Sequence, residues 1–304
     1  MKKRIIAFSL CLVALFAFAA CGSKAKVDNS DRTDVVVAMT TGSEPETGFD
    51  PILGWGSGDH VHEPLIQSTL VTTDINMNIV NDLATDYSSS ADGKTWTFKI
   101  RDDVKFTNGE PLTAKDVAFT FNQVKASSGT AVDLSTMEEA VAVDDTTVKL
   151  HLTEPNNSIL YTIAVIGIVP ENAYDKNYAV NPIGSGRYML KQWDKGQQVI
   201  LEANPDYYGE APKMQKVTIL FMEEDAALAA AKSGEADIVY TSATYSNLNV
   251  DGYQLVAYDS VDSRGISFPC IPSGSTKADG DNTYEAGNDV TCDINIRKAM
   301  SYAV

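Results

Sequence analysis

The chain has 304 residues, 44% of them hydrophobic, which is enough to bury a sizeable core and to form two domains. With 24 Lys and Arg against 41 Asp and Glu, its formal charge of −17 argues against nucleic acid, whose backbone requires a positive surface. It does not argue against a cationic or zwitterionic small ligand, and most of the excess acid serves solubility.

The first residues differ from the rest. Lys2, Lys3 and Arg4 form a basic start, Ile5 to Ala20 is apolar, and Cys21 follows Ala19-Ala20. This pattern is a secretory signal over residues 1–20, too short and wrongly flanked for a lasting membrane span. Removing it takes away three basic groups and no acidic one, moving the formal charge from −17 to −20. Phe18-Ala19-Ala20-Cys21 resembles a bacterial lipobox, with Phe in place of the more usual Leu. The resemblance implies lipid on Cys21 as the mature N-terminus. The polar residues 21–33 then read as a tether from the membrane to the folded domain.

The folded region is expected to begin at Asp34 to Met39, where Val35, Val36 and Val37 read as a buried strand. A glycine-rich loop follows, carrying Glu44-Pro45, Asp50-Pro51 and the run Trp55-Gly56-Ser57. An aromatic between glycines offers an apolar plate beside reachable backbone N–H and C=O groups, the mixture a peptide or small polar ligand needs. A Trp capping a small core satisfies the same pattern. His60 and His62 are candidate nickel or zinc ligands, although two His one residue apart face the same side only on a strand. Histidines starting a helix or walling a cleft are the competing reading.

From Thr72 the chain reads as a peripheral domain. Trp96, Phe98 and Ile100 alternate in a strand, and Thr113 is a credible N-cap with Asp116 three residues on. Val117, Phe121 and Val124 then form one apolar helical stripe. Asp102, Asp103, Glu110 and Asp116 fall in this context as turn and cap residues, with no sign of converging on a substrate as paired acids. Glu139 to Val143 and Thr147 to Leu152 predict a hairpin around Asp144-Asp145, and Val169-Pro170-Glu171 a short helix or turn.

The stretch from Asn181 to Tyr240 organises the rest. Gly186 to Trp193 and Gln197 to Ala203 predict a hairpin through Asp194-Lys195-Gly196. A turn from Asn204 to Gly209 leads to the strand Lys216 to Met222, a helix from about Asp225 to Lys232 stopped by Gly234, and the short strand Ala236 to Tyr240. Strand, helix and strand make a crossover, which requires α/β or mixed α+β architecture. Tyr253 to Tyr258 is expected to add a further strand, and Asp293 to Val304 to open a helix with Ile296 and Ala299 inward. Cys270 and Cys292 flank an excursion rich in Gly, Ser, Asp and Asn. In an exported protein they are expected to pair, closing a loop worth about 3 kcal/mol; free thiols or a metal are the alternatives.

Three pieces in order resemble the family 5 extracellular solute-binding proteins, the peptide and nickel receptors of ABC importers. They are Gly184-Ser185-Gly186-Arg187-Tyr188, Asn204-Pro205-Asp206-Tyr207-Tyr208-Gly209 and Gly234-Glu235-Ala236-Asp237-Ile238, with Arg187 where the family often has Pro. Glu44-Pro45 with Asp50-Pro51, the run Val104 to Val117, and Asp293 to Ala303 with Arg297 and Tyr302 are similar to further family segments. The resemblance implies a periplasmic-binding-protein-like type II bilobal fold whose second lobe is largely missing from this chain. Its expected parts are a lobe I core at 34–58 and 171–266, an inserted small domain at 59–170, and the start of lobe II at 267–304. It also implies that Trp55, Gly56, Ser57, His60, Tyr240, Thr241 and Ser267 line the ligand cleft, although a Tyr finishing a core strand fits Tyr240 equally well.

The function implied is capture of oligopeptides or dipeptides outside the cytoplasmic membrane. The partners implied are a permease with a separate ATPase and the membrane itself, reached through the N-terminal lipid, with the protein monomeric and using no cofactor. The chain has no Gly-x-x-x-x-Gly-Lys-Ser/Thr phosphate loop of its own. Nickel or a nickel chelate is the alternative within the class. An exported hydrolase is the alternative from another, but His151 and the pair at 60 and 62 offer no evident Ser-His-acid arrangement.

Overall fold

The computed structural model describes residues 31–54, 64–127, 132–245, 247–257, 267–279 and 282–303. Its strands are β1 (Asp34–Met39), β2 (Val71–Thr73), β3 (Ile79–Asn81), β4 (Ala84–Ser89), β5 (Thr95–Ile100), β6 (Met137–Asp144) and β7 (Thr147–Leu152). They continue as β8 (Tyr188–Asp194), β9 (Gln198–Ala203), β10 (Lys216–Phe221), β11 (Ile238–Val239), β12 (Ser275–Asp279) and β13 (Asn282–Ala286). The helices are α1 (Ala114–Ala126), α2 (Ile159–Ile163), α3 (Glu224–Ser233) and α4 (Ile294–Tyr302). Two compact units result, one ending at Tyr253 and the other beginning at Gln254.

In the first unit β1 is central to a mixed sheet ordered β11-β1-β10-β9-β8. It runs parallel to β10 and β11, whereas β8, β9 and β10 are antiparallel neighbours. Both faces of β1 are covered, which is why its sequence is a continuous apolar run rather than an alternation. Val35, Val37 and Met39 pack with Phe49, Val199, Leu201, Val217 and Phe221. Val36 and Ala38 pack on the other side against Ala227, Ala230 and Ala236. The alanines let α3 lie close on the sheet, and Gly234, at φ +79°, ends it in the left-handed conformation that L side chains resist. The crossover expected between β10 and β11 is therefore present, and it passes over β1.

A second, antiparallel sheet ordered β4-β5-β7-β6 carries α1 on one face. Phe98 pairs with Val148 and Trp96 with Leu150, and these side chains meet the buried Val117, Phe121 and Val124 of α1. The expected capping box is formed. Asp116 Oδ2 accepts from the Thr113 backbone N–H at 2.8 Å, and Thr113 Oγ1 accepts from Lys115 N–H at 3.3 Å.

Gly184 and Gly186 mark where the two layers are fastened. The Gly186 N–H donates to the Ile66 carbonyl at 2.8 Å, and the Tyr188 N–H to that of Leu65 at 3.0 Å. A Cβ on Gly184 would stand 1.9 Å from Ile66 O, and one on Gly186 2.6 Å from Leu65 O. Backbone crosses backbone here, and only glycine leaves room.

Three expectations fail in the C-terminal region. Tyr253 to Ala257 is not a strand: it has no pairing partner among the described residues, and Leu255 and Val256 are exposed. The Tyr253 hydroxyl instead donates to the Ala236 carbonyl. Helix α4 forms, with the Asp293 carboxylate capping Asn295 N–H at 2.7 Å, yet Ile296 and Ala299 are exposed because no described element lies over that stripe. Cys270 and Cys292 are free thiols rather than a disulfide. The Cys270 Sγ turns toward the Phe268 carbonyl at 3.4 Å, away from the pairing the sequence suggested. Between them β12 and β13 form a hairpin that its polar composition did not announce.

Candidate ligand-binding site

Because β1, β10 and β11 run parallel, their carboxyl ends open on one edge of the sheet, the place where open α/β sheets present ligand-facing groups. The segments leaving that edge are Thr40 to Ser43, Met222 to Glu224 and Tyr240 to Ser242. They are laced together. Thr41 Oγ1 donates to Glu223 Oε1 at 2.9 Å, and the Ser242 N–H and hydroxyl donate to the two Glu224 carboxylate oxygens at 2.7 and 3.1 Å. The Tyr245 hydroxyl donates to Asp225 at 2.9 Å, and that bond holds the phenol above its usual range. Three acidic residues thus begin α3, where the helix dipole favours negative charge.

Tyr240 stands at this rim with 59% of its surface exposed, while its backbone N–H is fixed to the Ala38 carbonyl at 2.9 Å. A rigid backbone with a free phenol suits a side chain that stacks on apolar groups and donates one hydrogen bond. Thr241 beside it is half-buried.

The loop leaving β1 is held from two sides. Glu44 accepts from Trp193 Nε1 at 2.8 Å and from the Gly196 N–H at 2.9 and 3.0 Å, gripping the turn of the β8–β9 hairpin. Phe49 meets the Trp193 ring edge-on at 5.2 Å, and Lys195 Nζ lies 4.5 Å over its face. Deeper, Asp50 accepts from the Tyr174 hydroxyl and the Ile52 N–H at 2.8 and 2.9 Å. Burial holds its carboxyl above the usual carboxylate range, with those donors pulling the other way.

Of the residues singled out in the sequence, Tyr240 and Thr241 lie together at the rim. Ser267 is exposed and belongs to the second unit. Trp55, Gly56, Ser57, His60, His62 and Cys21 lie outside the described residues. Among the described residues no group of three His, Cys, Asp or Glu could hold a metal ion, and no helix is long and apolar enough to cross a membrane. Sequence reading missed Thr41, Glu223, Glu224 and Ser242, and found Glu44 only as part of a family-like segment. The one available signal was their place just after each parallel strand.

The family profile described as Bacterial extracellular solute-binding proteins, family 5 Middle, matches residues 78–304. The chain belongs to this family. Its relatives include the probable D,D-dipeptide-binding periplasmic protein DdpA of Escherichia coli, 36% identical over 160 residues covering 49% of this chain and 31% of the relative. The oligopeptide-binding protein AppA of Bacillus subtilis is 28% identical over 274 residues, covering 80% of this chain and 49% of the relative. The chain therefore spans about a third to a half of the curated relatives it matches. Among solved structures, that of AppA in complex with a nonapeptide matches with a TM-score of 0.61 at 27% identity, covering 70% of this chain and 44% of that one. The structure of NikZ from Campylobacter jejuni in complex with Ni(L-His) matches with a TM-score of 0.72 at 23% identity, covering 90% of this chain and 53% of that one. The mixed α/β fold is thus that of family 5 binding proteins over the part of them this chain spans.

Proposed function

We propose that this family 5 chain belongs to the solute-capturing component of an ABC importer and takes oligopeptides or dipeptides outside the cytoplasmic membrane. The observation that carries the reading is the laced rim at the carboxyl ends of β1, β10 and β11, with Tyr240 exposed on a fixed backbone, in a chain whose relatives are named as peptide-binding proteins. Acidic side chains and a free phenol suit the amine end and apolar side chains of a peptide. In this reading residues 1–20 direct export and Cys21 carries the lipid. A permease with a separate ATPase receives the solute, Trp55, Gly56, Ser57, His60 and Thr241 complete this side of the cleft, and the protein acts as a monomer without catalysis.

The test uses the full-length gene product. It is purified without denaturation, its bound solutes are identified by mass spectrometry, and it is titrated with a mixed peptide library, nickel sulfate and nickel–histidine. Copurified peptides and saturable peptide binding weakened by Tyr240→Ala support the proposal. Stoichiometric nickel with no peptide binding overturns it in favour of a metal receptor, and turnover of ester or peptide substrates overturns it in favour of a hydrolase.

A further inference from the structure

A cavity of about 10 Å³ lies at the joint between the two layers of the first unit, lined by Gln67, Ser68, Asp82, Gly186, Arg187 and Tyr207 among others. Its chemistry is set by Gln67, which is 1% exposed. The Gln67 Nε2 donates to the Phe49 carbonyl and to the Tyr178 hydroxyl oxygen, both at 3.1 Å. Tyr178 gives its own proton to the Ile183 carbonyl at 2.7 Å, so toward Gln67 it can only accept. Both neighbours on that side are acceptors, which fixes the orientation of the carboxamide: turning it over would set oxygen against oxygen. Oε1 therefore points away from them, buried and without a donor among the described residues.

Beside it Ser68, 3% exposed, has its Oγ toward the Tyr208 hydroxyl and no other partner among the described residues. The nearby Tyr208 hydroxyl has committed its proton to Asp82. Asp82 in turn takes the Thr69 N–H and hydroxyl on its other oxygen at 2.9 and 3.2 Å. Residues with carboxylate, hydroxyl and carboxamide groups thus line a small polar space together with Arg187, and among the described residues Gln67 Oε1 is an acceptor there without a donor. A buried acceptor left unpaired bears the full cost of its lost hydration. A water needs a space of about 10–15 Å³ and two to four polar partners.

We propose that this cavity is the seat of one structural water, which donates to Gln67 Oε1 and hydrogen-bonds Ser68 Oγ, and so mortars the joint where residues 64–69 cross the Gly184–Arg187 segment. Such a water makes the joint polar and specific. Apolar filling of the cavity then harms the fold instead of helping it, the reverse of what holds for a dry cavity.

The experiment pairs a high-resolution crystal structure and oxygen-17 relaxation dispersion of the wild-type protein with the Tm values of Ser68→Ala and Ser68→Val. Expected are a density peak within hydrogen-bond distance of both atoms, a long-lived water in the relaxation profile, and a Tm for Ser68→Val a few degrees below that of Ser68→Ala. A dry cavity, a Gln67 Oε1 paired with a protein donor, or a Ser68→Val variant more stable than Ser68→Ala overturns the proposal. If Ser68→Val does not fold, the wild-type density and relaxation data decide.

Discussion

Asn204 Nδ2 donates to the Gly186 carbonyl at 2.9 Å, joining two of the segments that carry the family resemblance. The same side chain accepts from the Asp206 N–H at 3.0 Å, and the Asn204 backbone N–H donates to the Arg187 carbonyl at 2.9 Å. The third segment is also a fastener: Asp237 accepts from the Val36 N–H at 2.8 Å and forks with Arg32, locking β11 to β1. Each of these contacts fastens the scaffold. Asn204→Ala, at a buried site, is expected to lose about 2 kcal/mol through its two side-chain bonds. Urea denaturation checks this, and a loss below about 0.5 kcal/mol, within the range of ordinary surface substitutions, would contradict the assignment.

Gly184 and Gly42 provide a matched contrast. A methyl at Gly184 collides with Ile66 backbone at 1.9 Å, whereas Gly42 has nothing within 4 Å. Since neither the Ile66 carbonyl nor the sheet can retreat cheaply, Gly184→Ala is expected to cost about 3 kcal/mol or to prevent folding, and Gly42→Ala to change stability by about 0.5 kcal/mol or less. Thermal melts of the two variants side by side give the answer.

Glu44 ties the loop after β1 to the β8–β9 turn through an indole and a backbone amide. Glu44→Gln retains one acceptor oxygen and Glu44→Ala none, so losses of about 0.5 and 1.5 kcal/mol are expected. Hydrogen exchange localises the effect. The Gly196 amide is expected to exchange faster in Glu44→Ala than in wild type, and an unchanged rate would show that the turn holds itself.

Asp50 sets a pH dependence of opposite sign to that of a salt-bridged carboxylate. Its folded-state pKa is raised above 3.8 by burial, so between the unfolded and folded values the native state binds more protons, and stability falls as pH rises through that window. The unfavourable term is complete above the folded pKa and vanishes below the unfolded one. Denaturation across about pH 4 to pH 7 is expected to show wild type losing ground relative to Asp50→Asn as pH rises. A difference that stays flat would mean that the Tyr174 hydroxyl and backbone donors offset burial, and one that runs the other way that they outweigh it.

How much of this was legible depended on the range of the interactions. The β8–β9 hairpin was written in two strand-like runs joined by Asp194-Lys195-Gly196, and α3 in a helical run stopped by Gly234; both are local signals. The rim was not local: Thr41 meets Glu223 across 182 positions, and only their places just after two parallel strands mark them. The role of Gly184 and Gly186 was visible only as conformational freedom, because the backbone that crosses them comes from Leu65 and Ile66. Ser275–Asp279, reading STKAD, lacks the apolar alternation that would have announced β12, and the inward stripe read into α4 has nothing over it among the described residues.

The start of α1 tests how a cap can also fasten a distant segment. Thr113 Oγ1 accepts from one backbone N–H, that of Lys115, so Thr113→Ala is expected to cost about 1 kcal/mol, the usual value of an N-cap. Asp116 does more. Its Oδ2 takes the Thr113 N–H and hydroxyl at 2.8 and 3.0 Å, while Oδ1 takes the Glu171 N–H at 2.9 Å, 55 residues away. Removing the carboxylate strands two amides in a buried setting, so Asp116→Ala is expected to cost about 3 kcal/mol. Asp116→Asn, which keeps one acceptor, should fall between the two single-cap values. Equal losses for Thr113→Ala and Asp116→Ala in urea denaturation would mean that the Glu171 bond contributes nothing, and that the turn after Val169 is held by the packing of Ile168 and Val169 alone.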